Sequence, residues 1–373
     1  MPRPTGRSAD ARAIQSALEA WWHTARRDLP WRRRSDPYAI WVSEVMLQQT
    51  RVATASGYYR RFLEAFPTVG ALARADLSRV LKCWEGLGYY ARARHMHAAA
   101  RRVVEQFGGE LPASVEALRS LPGVGAYTAA AVASIAFGLD EPVLDGNVTR
   151  VLCRLFRVRQ DPKLARTRKR LTERARSLIP PGKAGLINQA IMDLGATVCV
   201  PGKPRCLVCP LRKHCLARAR GEQHRLPRKA ARKPTPHYDV AAGIVWRRGR
   251  VLIDRRKPEG LLGGLWEFPG GKRRAGETLD EAVVREVREE VGIEVRPTGL
   301  LATVRHAYSH FRITLHAFEC VHVSGRARAI GCDAVKWVRP DELEQYAFPK
   351  ANQKVLAALH ERLADTSPTR KGR

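Results

Sequence analysis

The chain has 373 residues, 45% of them hydrophobic, which is room for two or three packed domains. Lys plus Arg number 66 against 36 Asp plus Glu, a formal charge of +30. That balance excludes an ordinary enzyme of neutral small molecules and points to a polyanion, most simply nucleic acid. No apolar run approaches the roughly 18–20 residues that span a bilayer. The N-terminal MPRPTGRSAD has no apolar secretory core, so a cytoplasmic, nucleoid-associated bacterial protein is expected. An Arg-rich genome accounts for part of the charge.

Residues 8–198 read as amphipathic helices joined by short turns. Ser35-Asp36-Pro37 predicts a helix start, with a side-chain cap and proline in the first turn. The helix continues YAIWVSEVMLQQT, which sets Glu44 among apolar neighbours. A carboxyl there resists ionisation and suits a general acid; periodicity alone favours an ordinary glutamate facing water. Next, Leu121-Pro122-Gly123-Val124-Gly125 precedes AYTAAAVASIAFG. The glycines at 123 and 125 let backbone N–H groups approach a phosphate at a helix N-terminus, although a plain helix–helix turn has the same look. In VLDGNVTRVLCRLF, Asp145 stands just before a helix, with Asn147 as another capping candidate. The helix N-terminus should keep Asp145 ionised, unless its whole role is to cap. One protonated and one ionised carboxyl suit cleavage of a glycosidic bond through a cationic sugar.

Cys199, Cys206, Cys209 and Cys215 follow, separated by six, two and five residues, with Pro210 after Cys209. One Cys-x-x-Cys and a Cys-Pro step fit a [4Fe–4S] cluster better than a zinc ribbon with two knuckles; zinc and disulfides are the alternatives. Cys83, Cys153, Cys320 and Cys332 read as buried core thiols. Residues 217–236 are basic and proline-containing and read as a linker. From Tyr238 the pattern changes to a β-hairpin around Arg248-Gly249, a helix near 278–291, and strands near 300–305, 312–321 and 334–338. Thr278 and Glu281 form a capping box, and Glu286, Glu289 and Glu290 fall on one face of the helix that follows. Three such carboxylates call for a cation, with Mg²⁺ the natural candidate, or else form a solvated acidic face. The expected architecture is an all-α domain at 8–216 carrying the cysteine loop 199–215, a linker at 217–236, an α+β domain at 237–362, and a disordered tail at 363–373.

WVSEVMLQQT, WEGLGYYARAR, LPGVGAYTAAAV, LDGNVTRV, NQAIMDLGATVC and the cysteine loop occur in this order over roughly 10–220. Together they resemble the MutY adenine DNA glycosylases of the helix-hairpin-helix superfamily, to which endonuclease III also belongs. The resemblance implies that Glu44 protonates adenine N7 and helps activate water, that Asp145 stabilises the sugar cation, and that Asn147 orients Asp145. Tyr127 stands where bifunctional relatives carry a Schiff-base lysine, which implies a monofunctional enzyme. Gln48, Gln49 and Tyr89 become candidates for wedging the duplex, and Thr50 and Leu87 for touching the base opposite.

In the second half, the spacing from Gly271 through Glu277 and Arg285-Glu286 to Gly292-Ile293 matches the Nudix box, and GLWEFPGGK is shared with the C-terminal domain of the same family. Tyr308-Ser309-His310 resembles that family's 8-oxoguanine-sensing loop, with Tyr in place of the usual Phe. The implied protein is a monomer acting on duplex DNA with adenine opposite 8-oxoguanine or G. The alternatives are a chain that also hydrolyses oxidised nucleoside triphosphates, an endonuclease III-like glycosylase/lyase, and a mismatch-binding protein without chemistry.

Overall fold

The computed structural model describes residues 7–228 and 234–366. Its backbone separates into two compact units, Met1–Arg74 with Ala98–Arg232, and Ala75–His97 with Lys233–Arg373. In chain order the helices begin α1 (Arg7–Ala25), α2 (Pro37–Leu47), α3 (Val52–Ala65), α4 (Val69–Arg74), α5 (Leu77–Trp84) and α6 (Ala91–Phe107). They continue α7 (Val115–Ser120), α8 (Ala126–Ala136), α9 (Gly146–Leu155), α10 (Ala165–Arg176), α11 (Ala184–Thr197) and α12 (Leu216–Ala219).

In the first unit α2 is a core helix. The Asp36 carboxylate accepts from Tyr38 N–H and Ala39 N–H at 3.1 Å each, Pro37 occupies the first turn, and every residue from Tyr38 to Met46 is buried. α7 and α8 form the expected hairpin: Val124 N–H closes on the Leu121 carbonyl at 3.1 Å, and Gly123 takes φ +73°, a conformation glycine adopts without strain. The alanine-rich face of α8 packs against α2 and α11. A Cβ on Gly185 would lie 2.6 Å from the Ser134 carbonyl oxygen, and one on Gly195 2.7 Å from Asn147 Cβ, so both glycines set how closely α11 approaches. Gly195→Ala should therefore cost about 1–3 kcal/mol of stability, readable as a lowered melting temperature, and should displace Asn147.

The second unit is built on a mixed sheet of β1 (His237–Arg247), β2 (Arg250–Arg255), β3 (Trp266–Glu267), β4 (Gly270–Lys272), β5 (Glu294–Ala307), β6 (Arg312–Ser324) and β7 (Ala334–Val338). The order is β3-β2-β1-β6-β5, with β4 also pairing β1 and β7 pairing β2. β1 and β6 run parallel; the other pairs are antiparallel. Helix α13 (Leu279–Val291) covers one face, where Val283, Val287 and Val291 meet Ala241, Val245 and Leu252. Helix α14 (Lys350–Thr366) covers the other, where Val355 and Leu359 meet Ile244, Ile253 and Leu315. The capping box at Thr278 forms as expected, and Gly292 ends α13 at φ +68°.

Three expectations change. The segment Ala75–His97 groups with the sheet-bearing unit, although its sequence is continuous with the helical run. Glu85 accepts from Phe348 N–H at 2.8 Å, and Lys82 donates to the Tyr346 carbonyl at 3.0 Å. The N-terminal part of the expected linker is folded: Leu226 is buried, and Glu222 pairs with Arg157 at 2.9 Å and also with Arg159. The rest of that linker includes 229–233, which lies outside the described residues. Helix α14 continues to Thr366, past the expected start of the tail, whose residues 367–373 lie outside the described residues. Of the scattered cysteines, Cys153, Cys320 and Cys332 are buried and Cys83 is only partly so. Among the described residues, no helix is long and apolar enough to cross a membrane.

Candidate active site and cysteine loop

Glu44 lies on α2 with its side chain buried in the first unit. Burial pushes its carboxyl up to about 7, against the Tyr127 hydroxyl, which donates to Glu44 Oε2 at 2.7 Å; nearby Asp145 raises it further and Arg32 opposes. Burial and Glu44 together hold the Tyr127 phenol far above its ordinary range, so Tyr127 serves as a neutral donor. Asp145 is the N-cap of α9: its Oδ1 accepts from Val148 N–H at 2.6 Å and its Oδ2 from Asn147 Nδ2 at 3.1 Å. The cap does not hold this carboxyl low, as the helix terminus alone suggested. Burial outweighs the hydrogen bonds from Val148 and Asn147 and raises it above the ordinary aspartate value. The two carboxyls still differ in kind. Asp145 carries two donors that favour its ionised form, and Glu44 is held by one hydroxyl.

The supports of this pair went unread in the sequence. Arg150 donates to Asn147 Oδ1 at 2.7 Å, to the Gly195 carbonyl at 2.6 Å and to the Cys199 carbonyl at 2.7 Å, so one guanidinium orients the partner of Asp145. Asn188 is buried, accepts from Val143 N–H at 3.1 Å and donates to the Glu141 carbonyl at 2.7 Å and to Ser134 Oγ at 3.0 Å, which fixes the loop leading to Asp145. Asp193 is fully buried and accepts from Arg32 at 2.7 and 2.9 Å and from Arg27 at 2.7 Å. Those arginines hold it below the usual aspartate range despite its burial. Asn188 and Asp193 fall in the quoted motif NQAIMDLGATVC, but only their burial reveals what they do.

Cys199, Cys206, Cys209 and Cys215 line one pocket, together with Arg154, Arg205, Arg212 and Arg218. Arg154 is 3% exposed and donates to Cys199 Sγ at 3.2 Å and to the carbonyls of Cys199, Val200 and Leu226 at 3.1, 2.9 and 3.0 Å. A guanidinium buried among neutral acceptors needs a negative charge beside it, and a cluster held by four thiolates supplies one. The donor set and its electrostatics thus fit an iron–sulfur cluster.

Gly125 caps α8 without a side-chain bond, leaving the first backbone N–H groups of the helix open. In the first unit Gln48 donates to Thr128 Oγ1 at 2.9 Å, Gln49 takes φ +59°, and Thr50 closes the turn through its N–H to the Leu47 carbonyl at 3.3 Å. In the second unit Leu87 is buried, whereas Tyr89 is 41% exposed with φ +50° and shares a hydroxyl–hydroxyl hydrogen bond with Ser309. Tyr308 meets His306 edge to face and Phe311 at a tilt, with ring centroids 4.6 and 4.8 Å away, and His310 is exposed.

Glu286, Glu289 and Glu290 share one face of α13, and arginines reach two of them. Arg285 binds Glu286 at 2.7 Å and Glu277 at 2.6 Å, and Arg274 binds Glu289 at 3.0 Å. Glu290 accepts from Gly270 N–H at 2.9 Å. Arginines provided by the same segment have taken up two of the carboxylates that were expected to share a cation.

Comparison with known proteins agrees with this geometry. Residues 42–177 match the model of the HhH-GPD superfamily of base excision DNA repair proteins, and residues 241–358 match that of the NUDIX domain. A solved thermostable thymine-DNA glycosylase superposes with a TM-score of 0.54 at 32% identity, covering 58% of this chain and 99% of that one. Fold and site together define a helix-hairpin-helix DNA glycosylase of base excision repair with a C-terminal Nudix domain. The human adenine DNA glycosylase is 36% identical over 404 residues, covering 93% of this chain and 74% of its own length. That of Buchnera aphidicola subsp. Acyrthosiphon pisum is 32% identical over 292 residues, covering 78% and 81%. The chain belongs to the adenine DNA glycosylases. Relatives in mammals as well as bacteria do not bear out a specifically bacterial source.

Proposed function

We propose that this chain, acting as a monomer, hydrolyses the N-glycosidic bond of adenine opposite 8-oxoguanine, and less readily opposite G, in duplex DNA. The observation that carries the reading is the buried Glu44, hydrogen-bonded by Tyr127 and raised to about 7, set against a capped Asp145. The adenine must first leave the stack. Glu44 then donates its proton to the base at N7, which makes adenine a better leaving group, and the resulting carboxylate draws a proton from the attacking water. Asp145 faces the sugar as positive charge develops there, held in place by Asn147. Tyr127 offers no amine for a Schiff base, so strong strand scission by β-elimination is not expected.

Cys199, Cys206, Cys209 and Cys215 would hold a [4Fe–4S] cluster, whose binding would fix a loop carrying Lys203, Arg205, Arg212 and Lys213 for phosphate contact. Gly123 and Gly125 bring the α7–α8 hairpin to the backbone, Gln48, Gln49 and Tyr89 open the stack, Thr50 and Leu87 meet the opposite base, and Tyr308, Ser309 and His310 read the lesion. The test is a single-turnover assay on a duplex with one A opposite 8-oxoguanine; adenine left attached by cluster-loaded protein refutes the reading. Phosphate contacts also set the salt response: duplex affinity should drop about 10³–10⁵-fold between 50 and 200 mM salt, measured by fluorescence anisotropy, if six to ten phosphates are neutralised.

A second activity, hydrolysis of oxidised nucleoside triphosphates, is favoured by a cavity of about 240 Å³ in the second unit lined by Arg256, Lys272, Phe268, Tyr308 and Asn352. Phosphate release from 8-oxo-dGTP with Mg²⁺, lost in Glu289→Gln/Glu290→Gln, would establish it, and no release would dismiss it.

A further inference from the structure

β1 and β2 meet in a two-residue turn, Arg248-Gly249, with φ +48° and +69°. Both central residues are left-handed, a conformation that asparagine and glycine take readily and arginine does not. Arg247 and Arg250, on either side of the turn, are directly opposite one another in the strand register. Like charges at opposed positions repel. Trp337 on β7 holds both: the Arg247 guanidinium lies 6.0 Å from the centre of its ring, and Arg250 donates to its carbonyl at 3.4 Å. All three arginines are exposed, and among the described residues no carboxylate pairs with them. The acids at this end of the sheet are engaged elsewhere, Glu294 by Arg288, Glu319 by Arg362 and Asp341 by Arg339. Two opposed arginines and a third in a left-handed turn cost the hairpin stability. They suit a ligand that carries several negative charges in a row.

We propose that Arg247, Arg248 and Arg250 form a second binding site for the phosphate backbone of duplex DNA, separate from the site that holds the lesion. The sheet register fixes the separation. β1 and β6 run side by side from His237 opposite Arg312 to Trp246 opposite Val321, about 30 Å at roughly 3.3 Å per residue. The Tyr308–His310 loop precedes the Arg312 end, and the three arginines follow the Trp246 end. A guanidinium stacked on an indole presents its N–H groups as a fork for phosphate oxygens. Such contacts carry no sequence information, so the site takes undamaged duplex. One chain then holds two stretches of DNA at once, the lesion in one site and an undamaged stretch in the other. The inference goes beyond adenine excision and needs only that the protein binds duplex DNA, whichever base pair it repairs.

The full chain would be saturated with a short duplex bearing a non-cleavable 2′-fluoroadenosine opposite 8-oxoguanine, and that first event measured by itself. It would then be titrated with a fluorescent undamaged duplex, with binding followed by anisotropy. The wild type should take up this second duplex. Arg247→Gln/Arg248→Asn/Arg250→Gln should weaken the second event at least about tenfold and reduce its logarithmic salt slope by about 2–3, leaving the first event unchanged. Arg248→Asn alone should raise the melting temperature, because asparagine suits the turn, and still weaken the second event. A residue that served only the turn would give the first effect without the second. A wild type that takes no second duplex would overturn the site. So would a triple variant that binds the second duplex as tightly as the wild type, or one that loses the first duplex equally, which would place the arginines on the lesion duplex.

Discussion

Glu44→Gln should lower the single-turnover rate of adenine excision by about 10²–10⁴-fold, because glutamine cannot deliver the proton that the departing base needs. Duplex affinity should stay close to that of the wild type, since the side chain is buried and makes no surface charge. The pH profile gives an independent reading. Glu44 is raised by burial to about 7, so its acid form prevails below that pH and the rate should fall tenfold per pH unit above it. The same rise links to stability. A carboxyl that holds its proton more tightly when folded contributes stability that is complete below the ordinary value of 4.5 and declines as pH rises toward about 7. At pH 8 the variant should therefore be more stable than the wild type by up to about 3 kcal/mol, from roughly 1.36 kcal/mol for each pH unit between the two values. Denaturant melts at pH 5 and pH 8 check the sign: the gain should be small at the first and large at the second.

Asp145→Asn should lower excision by about 10²–10³-fold while leaving the fold nearly intact. The separation follows from the cap. Asparagine caps a helix about as well as aspartate, so the bond from Val148 N–H survives. What is lost is the negative charge facing the sugar, together with the acceptor for Asn147 Nδ2, which would meet an amide in one of its two orientations. A large loss of rate with a melting temperature within a few degrees of the wild type is the expected signature. A matching collapse in stability would reduce Asp145 to a structural cap.

Much of the site was legible because its chemistry is local. Glu44 in an apolar stretch, the glycine hairpin, the Asp145 cap and the spacing of four cysteines are all features of neighbouring residues. The direction of the Asp145 shift was not legible, since it depends on burial contributed by helices far along the chain. The same distance hid Asp193, whose arginines come from more than 160 residues earlier, at Arg27 and Arg32. In the second unit the hairpin and the three later strands were legible, the short β3 and β4 were not, and the parallel pairing of His237 with Arg312 and of Trp246 with Val321 has no local signal. On the box face, spacing showed which carboxylates are near one another and not which arginines reach them.

The three bonds of Arg150 bear on how genetic changes combine. One guanidinium grips Asn147, the end of α11 at Gly195 and the first cysteine's carbonyl at Cys199. Substitutions at these places fall on a single node, so their costs should not add: once Arg150 has been loosened, a second change at Asn147 or in the cysteine loop removes what is already lost. Inherited pairs of changes in this region should show strong epistasis, with the double variant scarcely worse than the weaker single one.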